Sequence, residues 1–199
     1  NNSIRVSRSL RDTAYKAIYA RENYMKTHLK EPTLNEIAEE TGIEKEEIVP
    51  VPGVVTAIAF ALNALTSEGD KVLINTPVYN PFASTIKGLN RELVTSSLKC
   101  EGTKRVMDFA DMEEKMKDGV KMMILCNPHN PIGRVWTKEE LNQLVELCAK
   151  YGAYLFSDEI HSDICYGGHK HCSALTVSEK AKEITIVAMA PSKTFNIAG

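Results

Sequence analysis

The chain has 199 residues, of which 43% are hydrophobic and 25% charged, and its formal net charge is −2. This composition predicts a soluble globular protein, because no apolar run approaches the roughly 20 residues of a membrane span. The polar, basic N-terminus lacks the apolar stretch of a signal peptide. The five cysteines form no CxxC pair, so we expect reduced thiols and a cytoplasmic protein.

The first part of the chain combines an uneven charge with a helical pattern. Residues 1–30 hold seven Lys or Arg, whereas residues 31–49 hold seven Glu. Apolar spacing predicts one longer helix in the basic stretch, then two short helices, the first opened by a capping box of Thr33 and Glu36. Such helix pairs occur in nucleic-acid binders and elsewhere, so a DNA contact and a solvated basic helix both stay open.

After residue 49 the pattern changes to alternating helices and strands. In chain order the predicted elements are a helix at 54–65, a strand at 71–75, a helix at 81–88, a strand at 92–96, a helix at 108–117, a strand at 122–126, a helix at 138–151, and strands at 153–157 and 184–188. Thr137 and Glu140 give the helix at 138–151 a second capping box. This alternation predicts an α/β fold with a partial doubly wound, mostly parallel sheet, preceded by a small helical segment.

Reactive or polar side chains follow the predicted strands. Since ligands bind at the carboxyl ends of strands in open α/β sheets, these side chains are the candidate site. In chain order they are Tyr79, then Asn130 in NPHNPIG, then Asp158 and His161 in SDEIH, and Lys193 in APSKTFN.

This set of residue types suits a planar, cationic heteroaromatic cofactor held through a Schiff base. Lys193 would supply the amine, and Ser192 beside it is a further binding candidate. Asp158 would pair with a protonated ring nitrogen. Asn130 would hydrogen-bond a ring hydroxyl, and Tyr79 would stack on the ring face.

A phosphate group on such a cofactor needs backbone donors. Gly53 opens the helix at 54–65, and its missing Cβ permits close approach to the N–H groups of Val54, Val55 and Thr56. Taken singly, each candidate also has an ordinary structural explanation, such as a turn, a helix cap or surface polarity. Their joint placement at successive strand ends is what predicts a cofactor site.

A metal site is the rival interpretation of one region. Histidines and cysteines of the kind that bind zinc lie close together in the sequence, namely His161, Cys165, His169, His171 and Cys172. Their spacing fits no familiar zinc finger, and Tyr166-Gly167-Gly168 between them predicts a turn. We therefore expect polar loop residues beside an active site and no metal.

Residues 51–199 also resemble a known family. The stretches that carry the resemblance are PGVVTAIAFAL, EGDKVLINTPVYNPF, NPHNPIGRVWTKEEL, SDEIHSDI, YGGHKH and APSKTFNIAG. They resemble the MalY/PatB, cystathionine β-lyase-like group of fold-type-I pyridoxal-phosphate enzymes. The resemblance implies pyridoxal 5′-phosphate as cofactor, with Lys193 bonded to it, Asp158 at the pyridinium nitrogen, Asn130 at the ring hydroxyl and Tyr79 stacked on the ring.

The resemblance also implies a reaction. His161 stands where transaminases of this superfamily usually carry a tyrosine, which favours a carbon–sulfur β-lyase over a class I/II aminotransferase, the alternative. A lyase of this group eliminates a thiol from a cysteine- or cystathionine-type substrate and leaves pyruvate and ammonia. The resemblance further implies a homodimer. The matching stretch stops before the small domain of this family, so we expect a poorly active fragment.

Residues 3–49 have a separate resemblance. IRVSRSLRDTAYKA followed by EPTLNEIAEETGIEKEEIV is similar to region 3 of sporulation-type bacterial sigma factors. This resemblance implies contact with promoter DNA through Arg5, Arg8 and Arg11, and RNA polymerase as a partner. We therefore predict a helical segment at 1–49 joined to a partial pyridoxal-phosphate-binding domain at 50–199, in a chimeric chain.

Overall fold

The structure, a computed structural model, describes residues 49–197 and, before them, residues 24, 27, 28, 33, 35 and 36. The chain divides into two compact units, Asn1–Val51 and Pro52–Gly199. In the first unit the predicted capping box is present. The Thr33 N–H donates to Glu36 Oε2 at 2.6 Å, and the Glu36 N–H donates to Thr33 Oγ1 at 3.3 Å.

The other predictions for the first unit fall outside the described residues. These predictions concern most of the longer helix, most of the pair of short helices, and the three arginines Arg5, Arg8 and Arg11.

Helices and strands alternate in the second unit, as the sequence predicts. In chain order they are α1 (Val54–Leu65), β1 (Lys71–Thr76), α2 (Pro81–Gly88), β2 (Glu92–Ser97), β3 (Lys99–Glu101), β4 (Lys104–Val106), α3 (Phe109–Lys117), β5 (Val120–Cys126), α4 (Lys138–Lys150), β6 (Tyr154–Asp158), a 3₁₀ helix (Ala174–Thr176), α5 (Glu179–Ile184) and β7 (Thr185–Ala188). The hairpin of β3 and β4, the 3₁₀ helix and α5 are absent from the sequence prediction.

Five of the strands described at 49–197 form one sheet in the order β2-β1-β5-β6-β7. Every neighbouring pair in this sheet is parallel. The short β3 and β4 pair antiparallel with each other. The prediction of an α/β fold with a mostly parallel sheet is therefore confirmed.

Both faces of the sheet are covered by helices. Helices α1 and α2 share an apolar cluster with strand residues such as Val72 and Phe156, and helices α3, α4 and α5 share a second cluster with Leu73 and Leu155. Neighbouring residues of one strand thus belong to opposite clusters. Strands buried on both faces read as continuous apolar runs, which is why the central strands were recognisable in the sequence.

Side-chain caps mark the start of helices α3 and α4. Helix α4 begins at the predicted capping box, in which the Glu140 N–H donates to Thr137 Oγ1 at 3.2 Å and the Thr137 N–H donates to Glu140 Oε2 at 2.8 Å. Asp108 caps α3 by accepting the Asp111 N–H at 3.2 Å. Among the described helices, none is long and apolar enough to cross a bilayer.

Candidate active site

The candidate site lies at the carboxyl end of the sheet, around the point where the strand order reverses. From β1 the chain continues to β2 on one side, whereas β5, β6 and β7 follow one another on the other side. The crevice between β1 and β5 is a topological switch point, the usual ligand position in such sheets. The segments that leave β1, β5, β6 and β7 carry the predicted residues, so the fold brings these segments to one edge.

Asp158 is the buried acid of this edge. It is the last residue of β6, where its Cα pairs with Cys126 of β5 and Ala188 of β7, and it is only 4% exposed. Its Oδ1 accepts the Ile160 N–H at 3.1 Å. The predicted strand at 153–157 ended one residue too early, so Asp158 lies within the sheet and not in the loop after it.

The environment of Asp158 changes its acidity. Burial is the largest influence and raises the pKa of Asp158 to about 6. The Glu159 charge raises it further, whereas the hydrogen bond from the Ile160 N–H and the Lys193 charge lower it. Close to neutral pH this carboxyl group is therefore easily switched between its charged and neutral forms. A cationic partner would favour the charged form.

Lys193 lies in the turn segment that follows β7, with an exposed side chain. Its positive charge lowers the pKa of Asp158, and it lowers the pKa of His161 as well, although burial is the larger cause for the histidine. The amine therefore lies within electrostatic reach of both side chains. Of the predicted set, these three are linked by such an electrostatic interaction.

A hydrogen bond that the sequence did not reveal holds the segment around Lys193. The Thr194 hydroxyl donates to Asp163 Oδ2 at 2.7 Å, which ties this segment to the one that leaves β6. The carbonyl of Ser192 accepts the Ile197 N–H at 3.1 Å. Ser192 thus takes part in the turn through its backbone.

The NPHNPIG segment forms a tight turn after β5. The His129 N–H donates to the Arg134 carbonyl at 2.8 Å, and the half-buried Asn130 donates its N–H to Cys126 Sγ at 3.4 Å. His129 Nε2 donates to the Pro77 carbonyl at 2.8 Å, so the segments after β5 and β1 are joined across the switch point. Burial lowers the pKa of His129, which favours the neutral ring. His129 is not among the site residues predicted from the sequence.

Tyr79 stands at the rim of the site. Its side chain is 42% exposed, and its ring meets the fully buried Phe82 ring edge-on, with centroids 5.9 Å apart and an interplanar angle of 89°. The edge-on contact anchors the aromatic ring without burying it. Its role in stacking stays a prediction.

The N-terminus of α1 offers uncapped donors. Gly53 precedes the helix with φ 157° and ψ 161°, and the helix has neither a side-chain cap nor an acidic residue in its first turn. The first helical bond, from the Ala57 N–H to the Gly53 carbonyl, leaves the N–H groups of Val54, Val55 and Thr56 without a partner within the helix. A phosphate dianion fits such a terminus, and nothing lies within 4 Å of the Cβ position that Gly53 lacks.

The cluster of histidines and cysteines is the region for which a metal site was the rival interpretation. Among the described residues, no group of three or more His, Cys, Asp or Glu is placed to hold a metal ion. His171 instead donates from Nε2 to Glu159 Oε2 at 2.8 Å. All five cysteines lie within 49–197, and none of them forms a disulfide.

Comparison with known proteins gives one family. The model that describes aminotransferase class I and II matches residues 3–199. Cystathionine beta-lyase PatB of Bacillus subtilis is 44% identical over 158 residues, which cover 79% of this chain and 41% of PatB. Protein MalY of Escherichia coli is 32% identical over 158 residues, which cover 79% of this chain and 40% of MalY.

A solved structure agrees in fold and sequence. Cystalysin from Treponema denticola, whose crystal structure contains a pyridoxal 5′-phosphate cofactor, matches with a TM-score of 0.77 at 32% identity. The match covers 92% of this chain and 50% of cystalysin. The chain spans about two fifths of the length of the two curated relatives. By the match over residues 3–199, the chain belongs to the aminotransferase class I and II family.

Proposed function

We propose that this chain is the cofactor-binding part of a pyridoxal-phosphate-dependent carbon–sulfur β-lyase. The substrate would be an amino acid of the cysteine or cystathionine type, and the products a thiol, pyruvate and ammonia. The observation that carries the proposal is the buried Asp158 at the end of β6 with the Lys193 charge acting on it. The similarity to PatB, a cystathionine beta-lyase, supports the choice of reaction.

The residues of the site fit pyridoxal phosphate. A buried carboxylate with a raised pKa suits a partner that carries a proton on a ring nitrogen, and Asp158 is such a group. Lys193 would form the covalent bond, Asn130 would contact the ring hydroxyl, and Tyr79 would lie against the ring. The uncapped terminus at Gly53 would receive the phosphate. When bound, this cofactor supplies an electron-withdrawing ring that stabilises negative charge on the substrate α-carbon.

The protein's own groups would then move the proton. The Lys193 amine, when it is not bonded to the cofactor, would take the proton from the substrate α-carbon. The bond between the β-carbon and sulfur breaks, and its electron pair leaves with the sulfur as a thiolate. Hydrolysis of the remaining three-carbon fragment adds water and releases pyruvate and ammonia.

Asp158 and His161 would set the charge around this proton transfer. As an anion, Asp158 would hold the ring nitrogen in its protonated form, which makes the ring a better electron acceptor. Burial, and after it the Lys193 charge, lowers the pKa of His161, which favours the neutral imidazole. A neutral imidazole can hydrogen-bond the cofactor without adding a positive charge beside Lys193.

A class I/II aminotransferase is the second candidate, and the family membership favours it. The two reactions differ in their products, because a lyase releases pyruvate and ammonia whereas an aminotransferase passes the amino group to a 2-oxo acid. The test is to incubate the chain with pyridoxal phosphate and L-cystathionine, with and without 2-oxoglutarate. Pyruvate and thiol that form without the oxo acid support the lyase, and glutamate formation supports the aminotransferase.

Two lysine variants make this test specific. Lys193→Ala should abolish product formation and also the exchange of the substrate α-proton with D₂O, followed by NMR. Lys121→Ala is the matched control, because Lys121 is an exposed lysine near the start of β5, away from the carboxyl end of the sheet. Equal exchange in wild-type protein and Lys193→Ala would contradict the proposal.

The N-terminal segment carries a separate proposal, that Arg5, Arg8 and Arg11 contact promoter DNA, with RNA polymerase as a partner. The concentration of positive charge in residues 1–30 supports it. Fluorescence anisotropy with duplex DNA should show binding that weakens with salt and is lost when the three arginines become alanine. Unchanged binding in that variant would contradict a role for these arginines.

The lyase proposal also includes a homodimer and a cytoplasmic location. The lack of disulfides among the five cysteines supports the location, since thiols stay reduced in a reducing compartment. Sedimentation velocity of the purified chain tests the dimer, and a single monomeric species at every concentration would contradict it.

A further inference from the structure

A buried carboxylate lies directly after Asp158. The side chain of Glu159 is 0% exposed, and four donors surround it. His171 Nε2 donates to Oε2 at 2.8 Å, while Oε1 accepts the Ala174 N–H at 2.9 Å and the Ser157 hydroxyl at 3.0 Å. Asn127 Nδ2 lies 3.5 Å from the same Oε1, the longest of these contacts.

These donors belong to three separate segments of the candidate site. Ser157 is in β6, Asn127 is the first residue after β5, and His171 and Ala174 lie at the start of the 3₁₀ helix region. Asn127 also donates from Nδ2 to the Cys172 carbonyl at 2.8 Å. The Glu159 carboxylate therefore joins the ends of β5 and β6 to the segment around the 3₁₀ helix.

Backbone hydrogen bonds extend the same unit to Asp158. The Asn127 N–H donates to the Asp158 carbonyl at 2.9 Å, and the Glu159 N–H donates to the Ala188 carbonyl at 2.8 Å. Asp158 is thus held between its own strand and the first residue after β5. The Glu159 side chain is joined to the same residue, because its Oε1 lies within hydrogen-bond distance of Asn127 Nδ2.

Burying a carboxylate is costly unless it is paired and hydrogen-bonded. Paired buried polar groups hold one another in one arrangement, as the Glu159 carboxylate is held by its four donors, whereas an apolar side chain of similar size would fill the space without fixing orientation. Within this network the Asn127 Oδ1 atom has no hydrogen-bond partner among the described residues. The network lies beside Asp158, the acid that would meet the cofactor ring. A fixed arrangement of its members would therefore favour the binding of pyridoxal phosphate.

We propose that Glu159, together with His171, is a positioning residue that fixes Asp158 and the segment beginning at Asn127 relative to each other. This inference rests on the proposed function, because the arrangement matters for holding pyridoxal phosphate. Glu159 would act through its neighbours and would not itself touch the cofactor.

Three variants test the positioning role through the dissociation constant of pyridoxal phosphate. Glu159→Ala removes the acceptor and should weaken binding about tenfold or more, since buried donors lose their partner. Glu159→Gln keeps an acceptor oxygen and should stay within about threefold of wild type. Glu146→Gln is the control for the substitution, because Glu146 forms an exposed ion pair with Lys180, and it should leave binding unchanged.

The outcomes separate positioning from a purely structural role. Thermal unfolding identifies folded variants, and a folded Glu159→Ala that binds pyridoxal phosphate like wild type would overturn the inference. Equal losses in the Gln and Ala variants would also overturn it, because the retained oxygen would then have no effect.

A second measurement needs no cofactor. In protein labelled with ¹³C-aspartate, NMR follows the titration of Asp158, whose pKa is raised chiefly by burial and further by the adjacent Glu159 charge. Glu159→Gln should lower this midpoint, and Glu146→Gln should not. An unchanged midpoint would overturn the inference even if Glu159→Ala does not fold. If wild-type protein binds no pyridoxal phosphate through Lys193, the proposed function fails, and this titration still decides whether Glu159 is held against Asp158.

Discussion

The raised pKa of Asp158 predicts how the stability of the protein depends on pH. The perturbation is Asp158→Asn, which removes the ionisable proton but keeps the side-chain shape and an oxygen to accept the Ile160 N–H. In the unfolded chain the carboxyl group titrates near its usual value of 3.8, whereas in the folded protein it titrates at about 6. The folded state therefore binds this proton more tightly than the unfolded state does.

The sign and size of the effect follow from this difference. Proton binding by Asp158 contributes stability that is fully present below pH 3.8 and is lost as the pH rises through about 6. The gap of about two pH units, at about 1.36 kcal/mol for each, amounts to about 3 kcal/mol. Asp158 is only 4% exposed, so screening by solvent removes little of it. Most of the loss, about 2 kcal/mol, falls between pH 4 and pH 7.

Urea unfolding of both proteins without added pyridoxal phosphate measures the effect. The free energy of unfolding of wild type minus that of Asp158→Asn should fall by about 2 kcal/mol from pH 4 to pH 7. Other carboxyl groups, such as Asp108 and Asp111 with their lowered pKa values, titrate alike in both proteins and cancel in the difference. A difference that stays constant across this range would refute the assignment of a raised pKa to Asp158.

Three further predictions concern the segments around the site. Thr194→Val removes the hydrogen bond to Asp163 and should weaken pyridoxal phosphate binding several-fold, whereas Thr194→Ser keeps the hydroxyl and should restore binding. Equilibrium dialysis measures both affinities. Equal affinities in the two variants would contradict a role of this hydrogen bond in binding. Trp136 is fully buried and donates from Nε1 to the Cys126 carbonyl at 3.0 Å. Trp136→Ala should therefore lower the free energy of unfolding in urea by about 3–5 kcal/mol, and Trp136→Phe should lower it clearly less. Thr137→Ala should cost about 1 kcal/mol by loss of the cap, whereas Thr137→Ser should cost less; equal losses would contradict the capping role.

The parts of the fold with a strong local signal were predictable from the sequence. Helix α1 occupies the predicted range Val54–Leu65, and α4 begins after the predicted cap at Thr137. The buried strands β1 and β5 were recognisable as short apolar runs, each one or two residues longer than predicted. In these elements the hydrophobic pattern and the capping residues agree with the tertiary structure, so local reasoning was sufficient.

Elements without an apolar period were missed. The exposed hairpin of β3 and β4 spans KCEGTKRV, in which charged residues dominate and only Gly102, with φ 59°, indicates the turn. Helix α5 has six residues, too short for a periodic pattern to stand out, and its Ser178 cap was the available signal. Short polar elements of this kind depend on neighbours that are distant in sequence.

The candidate site divides in the same way. The predicted topology indicates that residues at or just after the strand ends form the site, which is why Asp158 and Lys193 could be predicted as site residues. Glu159 could not be assigned its contacts, because its partner His171 lies twelve residues away in sequence and the geometry comes from folding. The bond from His129 to the Pro77 carbonyl spans 52 residues and has no local signature at all.

The most direct test of the central claim is to identify the lysine that binds pyridoxal phosphate. The protein is incubated with pyridoxal phosphate, reduced with borohydride and digested, and the modified lysine is located by mass spectrometry. We predict one dominant modification, on Lys193, and its loss in Lys193→Ala while the spectrum of Lys121→Ala stays like wild type. Modification spread over exposed lysines in equal amounts, or none above background at Lys193, would contradict the account.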